Sequence, residues 1–250
     1  MKKVFVILYV LMIFSEATSA TDTSFQKANG LYQDGNYELA LNAYQEVIDG
    51  GFESSDLYYN MGNAAYRSNS IGLAILYYEK ALKLNPSHDD ARHNLIFVSR
   101  YRVDTFEEVP QLFLKTWSQL LVKSMSERTW SILSLSLFIL LIGSILIYLF
   151  SNRFTLKKVG FFSALAGLLL IIIALSSAIS SHHAIHNPEG GIILSPYVVV
   201  RSSPSDTGTE LFILHEGTKV RVKEEISGWR NILVVDGREG WIGSADFESI

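Results

Sequence analysis

The chain has 250 residues, a net charge of −4, 48% hydrophobic residues and no cysteine. The lack of thiols excludes disulfides, thiolate metal sites and cysteine nucleophiles. Its polar regions are acidic, with 7 basic against 11 acidic side chains over 21–104 and 6 against 10 over 188–250, which argues against a nucleic-acid partner.

The apolar residues are concentrated in three blocks, 4–14, 130–150 and 159–180. A helix of about 20 residues, rising ~1.5 Å per residue, matches a hydrocarbon core of ~30 Å, so only the last two blocks are long enough to span a bilayer. The first follows Lys2 and Lys3 and precedes "SEATSA", and predicts an export signal over 1–20, cleaved after Ala20 or Ala17.

Sliding residues 28–60 along by 34 positions aligns Ala28 with Gly62, Asn29 with Asn63, Tyr32 with Tyr66, Ala40 with Ala74 and Tyr44 with Tyr78. That offset is the period of a helix-turn-helix repeat. Two units are predicted, about 21–54 and 55–88, with a partial capping unit over 89–104. Thr23, Ser55, Ser70 and Ser87 are the expected starts of helices, and Pro86 ends one. Asparagine is a poor helix former, yet Asn29 and Asn63, and Asn60 and Asn94, recur at the same offset. Their amides either bind an extended peptide or tie neighbouring helices together.

The segments "LYYNMGNAAYRSNSIGLAILYYEKALKLNP" and "ANGLYQDGNYELALNAYQEVI" resemble the tetratricopeptide repeat family. Asn69 in place of the usual turn glycine, Ile71 in place of an aromatic and Phe52 in place of a proline depart from its pattern. The resemblance implies an α-helical solenoid whose concave groove is lined by Phe25, Asn29, Tyr59, Asn60, Asn63, Tyr66, Arg67, His93 and Asn94, with Arg67 suited to a carboxylate.

Residues 105–129 follow as an amphipathic juxtamembrane segment, with Leu112, Trp117, Leu120 and Leu121 opposite lysines. Lysine and arginine counts around the transmembrane helices 130–150 and 159–180 do not by themselves orient them. An N-terminal export signal does: it delivers residue 21 onward outside, which makes 151–158 a cytoplasmic turn and puts both polar regions in the periplasm of a bacterial inner membrane. Gly160, Ser163, Ala164, Gly167, Ala174 and Ala178 form a small-residue face on the second span, suited to close contact with the first or with another membrane protein. His182, His183 and His186 lie at its end with Glu189 nearby. A metal site needs three or four converging ligands; no metal is assigned, and the run is expected to be interfacial.

After a linker over 181–194, short β-rich runs separated by glycine and proline turns occupy 195–250. "VRSSPS", "LFILHEGTKVRV", "GWRNI" and "GREGWIGSADFESI" resemble the bacterial SH3-like family. An all-β barrel is expected, with Val200, Leu211, Val220, Val222, Ile232 and Ile242 inside. The resemblance implies recognition of peptides or of peptidoglycan, for which Tyr197, Arg201, Trp229 and Trp241 are the candidates, although Trp241 also suits the core.

The chain has no phosphate-binding glycine loop, nucleophile elbow or dinucleotide fingerprint, so a non-enzymatic protein without cofactor is expected. The order of signal, repeats, two close spans and a terminal SH3-like module resembles the BatE-type proteins of the Bacteroides aerotolerance group. That resemblance implies a scaffold in an aerotolerance or envelope-stress complex, with Bat proteins bearing von Willebrand type A domains and a MoxR-type ATPase as partners. The alternative is a membrane sensor of an envelope peptide that signals through the hairpin.

Overall fold

A computed structural model describes residues 23–106, 113–187 and 190–250. The predicted signal, Leu112 and Glu189 lie outside the described residues. The described chain forms two compact units: 23–83, 88–106 and 190–250 make one, and 113–187 form most of the other.

The first unit begins with five helices: α1 over 23–33, α2 Tyr37–Asp49, α3 Ser55–Arg67, α4 Ile71–Leu84 and α5 Asp89–Val98. Small residues bring them close, since Ala28, Ala40, Ala64, Ala65, Ala74 and Ala81 are fully buried. Gly62 is needed where α3 crosses α4, because a methyl group there would lie 2.6 Å from the Tyr78 ring. The two tight turns are equivalent: Gly35 has φ +79° and Asn69, 34 positions on, has φ +62°. Asparagine is the side chain that best tolerates this left-handed geometry, so the turn survives without its glycine.

Two helix starts are displaced by one residue from the expected ones. Ser54 caps α3 by accepting from Leu57 N, which frees Ser55 to donate to Ala81 O at 2.8 Å and tie α3 to α4. His88 caps α5 through Nδ1, which accepts from Ala91 N.

Seven antiparallel strands complete this unit: β1 Gly190–Ile193, β2 Tyr197–Arg201, β3 Glu210–His215, β4 Lys219–Ile226, β5 Trp229–Val234, β6 Glu239–Gly243 and β7 Phe247–Ser249. Their order is β3-β2-β6-β5-β4-β1-β7. The sheet is therefore open, with β3 and β7 as edges, where a barrel was expected. Its first strand lies in the stretch assigned to a linker, because Gly190 and Gly191 disguise it. A side chain at Gly191 would lie 2.2 Å from Glu248 O and the Phe247 ring.

Val198, Val200, Leu214, Val220, Ile232, Val234, Ile242 and Phe247 form the core of the sheet, with Val222 half-buried against it. Leu211 departs from the expected core and is 48% exposed, because the inward alternation on edge strand β3 falls on Phe212 and Leu214.

Helix α4 joins the repeats to the sheet. One of its faces carries Gly72, Ile75, Glu79 and Lys83, at successive spacings of three, four and four residues. The Gly72 backbone approaches the β3–β4 turn closely, and Ile75 packs against Gly217, whose φ is +81°. Ion pairs join Lys219 to Glu79 and Lys80 to Glu248, both at 2.7 Å, and Lys83 donates to Ile250 O.

Asp104 completes this contact. Its carboxylate accepts from His215 N at 2.7 Å, the His215 ring at 2.9 Å and Thr218 Oγ1 at 2.7 Å. Burial pushes this carboxyl up, but the three hydrogen bonds and the nearby His215 outweigh it and hold it below its ordinary value.

The second unit contains α6 Phe113–Val122, α7 Glu127–Phe150 and α8 Phe154–His186. Both α7 and α8 are long and apolar enough to cross a membrane. Because α8 starts at Phe154, the turn between them is 151–153, shorter than the eight residues expected. The face of α8 least open to solvent runs through Gly160, Ala164, Gly167, Ile171, Ala174, Ala178 and Ser181, with Ser177 buried beside them. Their alternating spacing of four and three residues is that of a helix-pair seam. Ser163, expected on that face, is exposed. At Gly160 a methyl group would lie 2.8 Å from Ser144 O and Tyr148 N, which marks the closest approach of the two backbones. Near the other end, Trp130 is 4% exposed against Ala174 and Ala178.

Candidate functional site

The asparagines of the repeats have partners that the sequence did not indicate. Tyr44 donates to Asn29 Oδ1 at 2.7 Å, and Asn60 Nδ2 donates to the same oxygen at 3.3 Å. One repeat further on, Tyr78 donates to Asn63 Oδ1 at 2.7 Å and Asn94 Nδ2 to the same oxygen at 2.9 Å. Each network joins three helices: α1, α2 and α3, then α3, α4 and α5. A mid-helix amide is held in place because it satisfies a tyrosine from one neighbour and an amide from the next. Burial pushes the Tyr44 hydroxyl up to about 12 and the Tyr78 hydroxyl up as well, so both stay protonated donors at physiological pH.

Of the nine groove residues named from sequence, Asn63, Tyr66, Arg67 and Asn94 line one hollow of about 160 Å³. Tyr32, Tyr78, Phe97 and Val98 complete its wall. Asn29 and Asn60 sit in the preceding network. Phe25 packs on Tyr44 with ring centroids 5.9 Å apart, Tyr59 lies against His88 at 4.8 Å, and His93 is exposed on α5.

Arg67 is exposed at the edge of the hollow. It donates through Nε and Nη2 to Tyr37 Oη, at 3.1 and 2.8 Å, and lies 5.1 Å from that ring's centroid. Its guanidinium is thus aimed without being neutralised by a carboxylate among the described residues, and the Tyr37 bond raises its pKa.

On the α5 side, Tyr66, Phe97 and Tyr101 make three mutual ring contacts of 5.7–6.3 Å. Phe97 is 40% and Tyr101 56% exposed. A hydrogen bond with Tyr101 raises the Tyr66 pKa. An oriented cation beside a half-exposed aromatic cluster can take an acidic or terminal carboxylate together with an apolar side chain.

Tyr37, Phe97 and Tyr101 were missed from sequence. The repeat offset relates Tyr44 to Tyr78, but Phe97 and Tyr101 belong to an incomplete unit with no second copy to compare.

On the sheet, Arg201 and Trp229 line a depression of about 400 Å³ with Asp206, Ser244 and Asp246. The Arg201 guanidinium is engaged by Gly208 O at 3.0 Å and by Glu210 at 3.4 Å. Ser244 Oγ is buried without a hydrogen-bond partner among the described residues. Tyr197, 65% exposed, does not line the depression, and Trp241 is half-buried in register with Arg201 and Asn231.

In the second unit, His182 lies beside a residue 55 positions away, its Nδ1 being 2.7 Å from Glu127 Oε1. His186 stacks on His182 with ring centroids 4.1 Å apart. Glu127 carries no local sequence signal for this meeting, which arises from the pairing of α7 with α8.

Residues 55–88 match the family model for the tetratricopeptide repeat. Over 82 residues, 32% of this chain, the sequence is 33% identical to the Photosystem I assembly protein Ycf3 of Acaryochloris marina (strain MBIC 11017), covering 49% of that protein. The chain thus spans about half the length of the curated relative it matches. Together the match and the relative point to a protein-interaction role for the helical region.

Proposed function

We propose that this chain is a membrane-anchored, non-enzymatic adaptor whose repeat groove captures an extended segment of a protein partner. The carrying observation is the hollow between α3 and α5, where an exposed, aimed Arg67 stands beside Tyr66, Phe97 and Tyr101 while the asparagines beneath are engaged in ties between helices. Asn63 Nδ2 and Asn94 Oδ1, which take no part in those ties among the described residues, supply a donor and an acceptor to a peptide backbone. The repeats are also similar to a protein named for the assembly of photosystem I.

The open seven-stranded sheet serves in this proposal as an SH3-like module whose barrel is not closed, with the depression at Arg201 and Trp229 as its contact for peptide or peptidoglycan. Helices α7 and α8 anchor the chain as a hairpin in a bacterial inner membrane. Supporting this, the segments before α6 and after α8 pack into one unit through Asp104, Lys80 and Lys219, as two segments on a common side of a bilayer would. With an export signal, that side is the periplasm. The three-residue turn leaves no room for an output domain, which favours adaptor over sensor. A place beside von Willebrand type A Bat proteins and a MoxR-type ATPase in an aerotolerance complex is the cellular setting we assign.

Site-specific photocrosslinking tests the groove. A crosslinker at Phe97 should trap a discrete partner in cells, whereas one at Leu39, 55% exposed on α2, should not. Equal trapping from both positions would remove the groove from the proposal.

A further inference from the structure

We propose that Glu127, His182 and His186 bind one divalent transition-metal ion, of which Zn²⁺ best fits the donors, and that this ion clips the first turn of α7 to the last turn of α8. One ligand atom from each of the three residues lies within 4.8 Å of the others. Donor atoms around tetrahedral zinc, each ~2.0–2.1 Å from the ion, stand roughly 3.3 Å apart, so the three groups have only a short way to draw together around an ion.

Three features arrange these groups. His182 and His186 are four residues apart on α8 and face one another across one helical turn. Glu127 is the first residue of α7, and Trp130, one turn further, packs against Ala174 and Ala178 of α8, which fixes the register of the two helices. Finally, His186 Nδ1 lies 3.0 Å from His182 O. A carbonyl only accepts, so Nδ1 carries the proton and Nε2 keeps the lone pair, as expected of a ligating histidine oriented by an outer hydrogen bond.

In the ion-free state the His182 ring donates its Nδ1–H to the Glu127 carboxylate across 2.7 Å. An ion entering there takes the place of that proton, which moves to Nε2 of the same ring, so the imidazole stays neutral and no proton is lost. Two neutral histidines and one carboxylate then hold the ion with a fourth position open to water. Nitrogen donors select zinc and its neighbours over magnesium or calcium, which prefer all-oxygen cages.

The experiment uses untagged full-length protein in detergent or nanodiscs, with Zn²⁺ competed against a chromophoric chelator and Co²⁺ as spectroscopic probe. One Zn²⁺ per chain should bind, excess Mg²⁺ should not displace it, and Co²⁺ should give the d–d absorption of a four-coordinate site. Glu127→Gln should weaken binding by about tenfold to a hundredfold, and His182→Ala or His186→Ala by at least that much. His183→Ala, whose Nδ1 faces Asn187, should leave it unchanged. Absence of stoichiometric binding by the wild type, or equal loss in His183→Ala, would overturn the proposal and leave a histidine–glutamate pair alone. The Co²⁺ spectrum of the wild type decides the matter even if a variant misfolds, and because it leaves the groove untouched its failure is separate from that of the adaptor role.

Discussion

Gly62, Asn63, Tyr78 and Asn94 form a cluster in which backbone approach and hydrogen bonding depend on one another. Gly62 lets the Tyr78 ring lie against α3, and that position brings the Tyr78 hydroxyl to Asn63. Gly62→Ala should therefore lower stability by about 1–3 kcal/mol through overpacking. Asn63→Ala should cost about 1–3 kcal/mol by leaving Tyr78 and Asn94 without their acceptor. Chemical denaturation of the detergent-solubilised protein measures both. Asp104 makes a pH-dependent contribution. Its carboxyl is held below the ordinary value of ~3.9. The stability it supplies is thus fully present above that value and is lost as pH falls through the lower folded-state pKa. Asp104→Asn should be less stable than the wild type by about 2 kcal/mol at pH 7. The gap should narrow below pH ~4, where the unfolded chain takes up the proton first and the folded wild type follows at its lower pKa. A gap unchanged between pH 7 and pH 3 would refute the assigned role.

At the scale of elements, α4 is shared by two cores. Tyr78 and Ala74 belong to the repeats, whereas Gly72, Ile75, Glu79 and Lys83 face the sheet. Ile75 is 2% exposed and reaches the Gly217 turn, so Ile75→Ala should cost about 2–4 kcal/mol and increase protease cleavage of the β3–β4 turn. In the hairpin, the seam that begins at Gly160 depends on backbone contact. Gly160→Leu should force α7 and α8 apart and lower the temperature at which the detergent-solubilised protein aggregates, whereas substitution at exposed Leu169 should not.

For the molecule as a whole, the absence of native cysteine makes sidedness directly measurable. Cysteines introduced at Leu39 on α2 and at Glu225 on β4 should react with a membrane-impermeant maleimide in cells whose outer envelope alone is opened. One at Asn152 in the short turn should react only after the inner membrane is permeabilised. Opposite labelling of Leu39→Cys and Glu225→Cys would contradict both the hairpin topology and the docking of repeats on sheet. The same labelling in a chain carrying Ile75→Ala reports whether docking is needed to place the sheet.

Features set by local physics were visible along the chain. The 34-residue offset placed the helix pairs and turns, Asn69 included, because each unit repeats one packing problem. The apolar lengths of α7 and α8 and the small residues at Gly160, Ala174 and Ala178 marked a close helix pair. Four of the nine residues named for a groove, Asn63, Tyr66, Arg67 and Asn94, line one hollow. What remained hidden depends on contacts between distant segments: Tyr44 and Tyr78 holding the asparagines, β1 concealed by two glycines, Asp104 held by His215 and Thr218, and Glu127 meeting His182. Periodicity reports which face of an element is buried, because burial recurs with each turn or pleat. Which partner that face meets is decided only by the folded chain, since the energies of such contacts arise from residues that no local pattern relates.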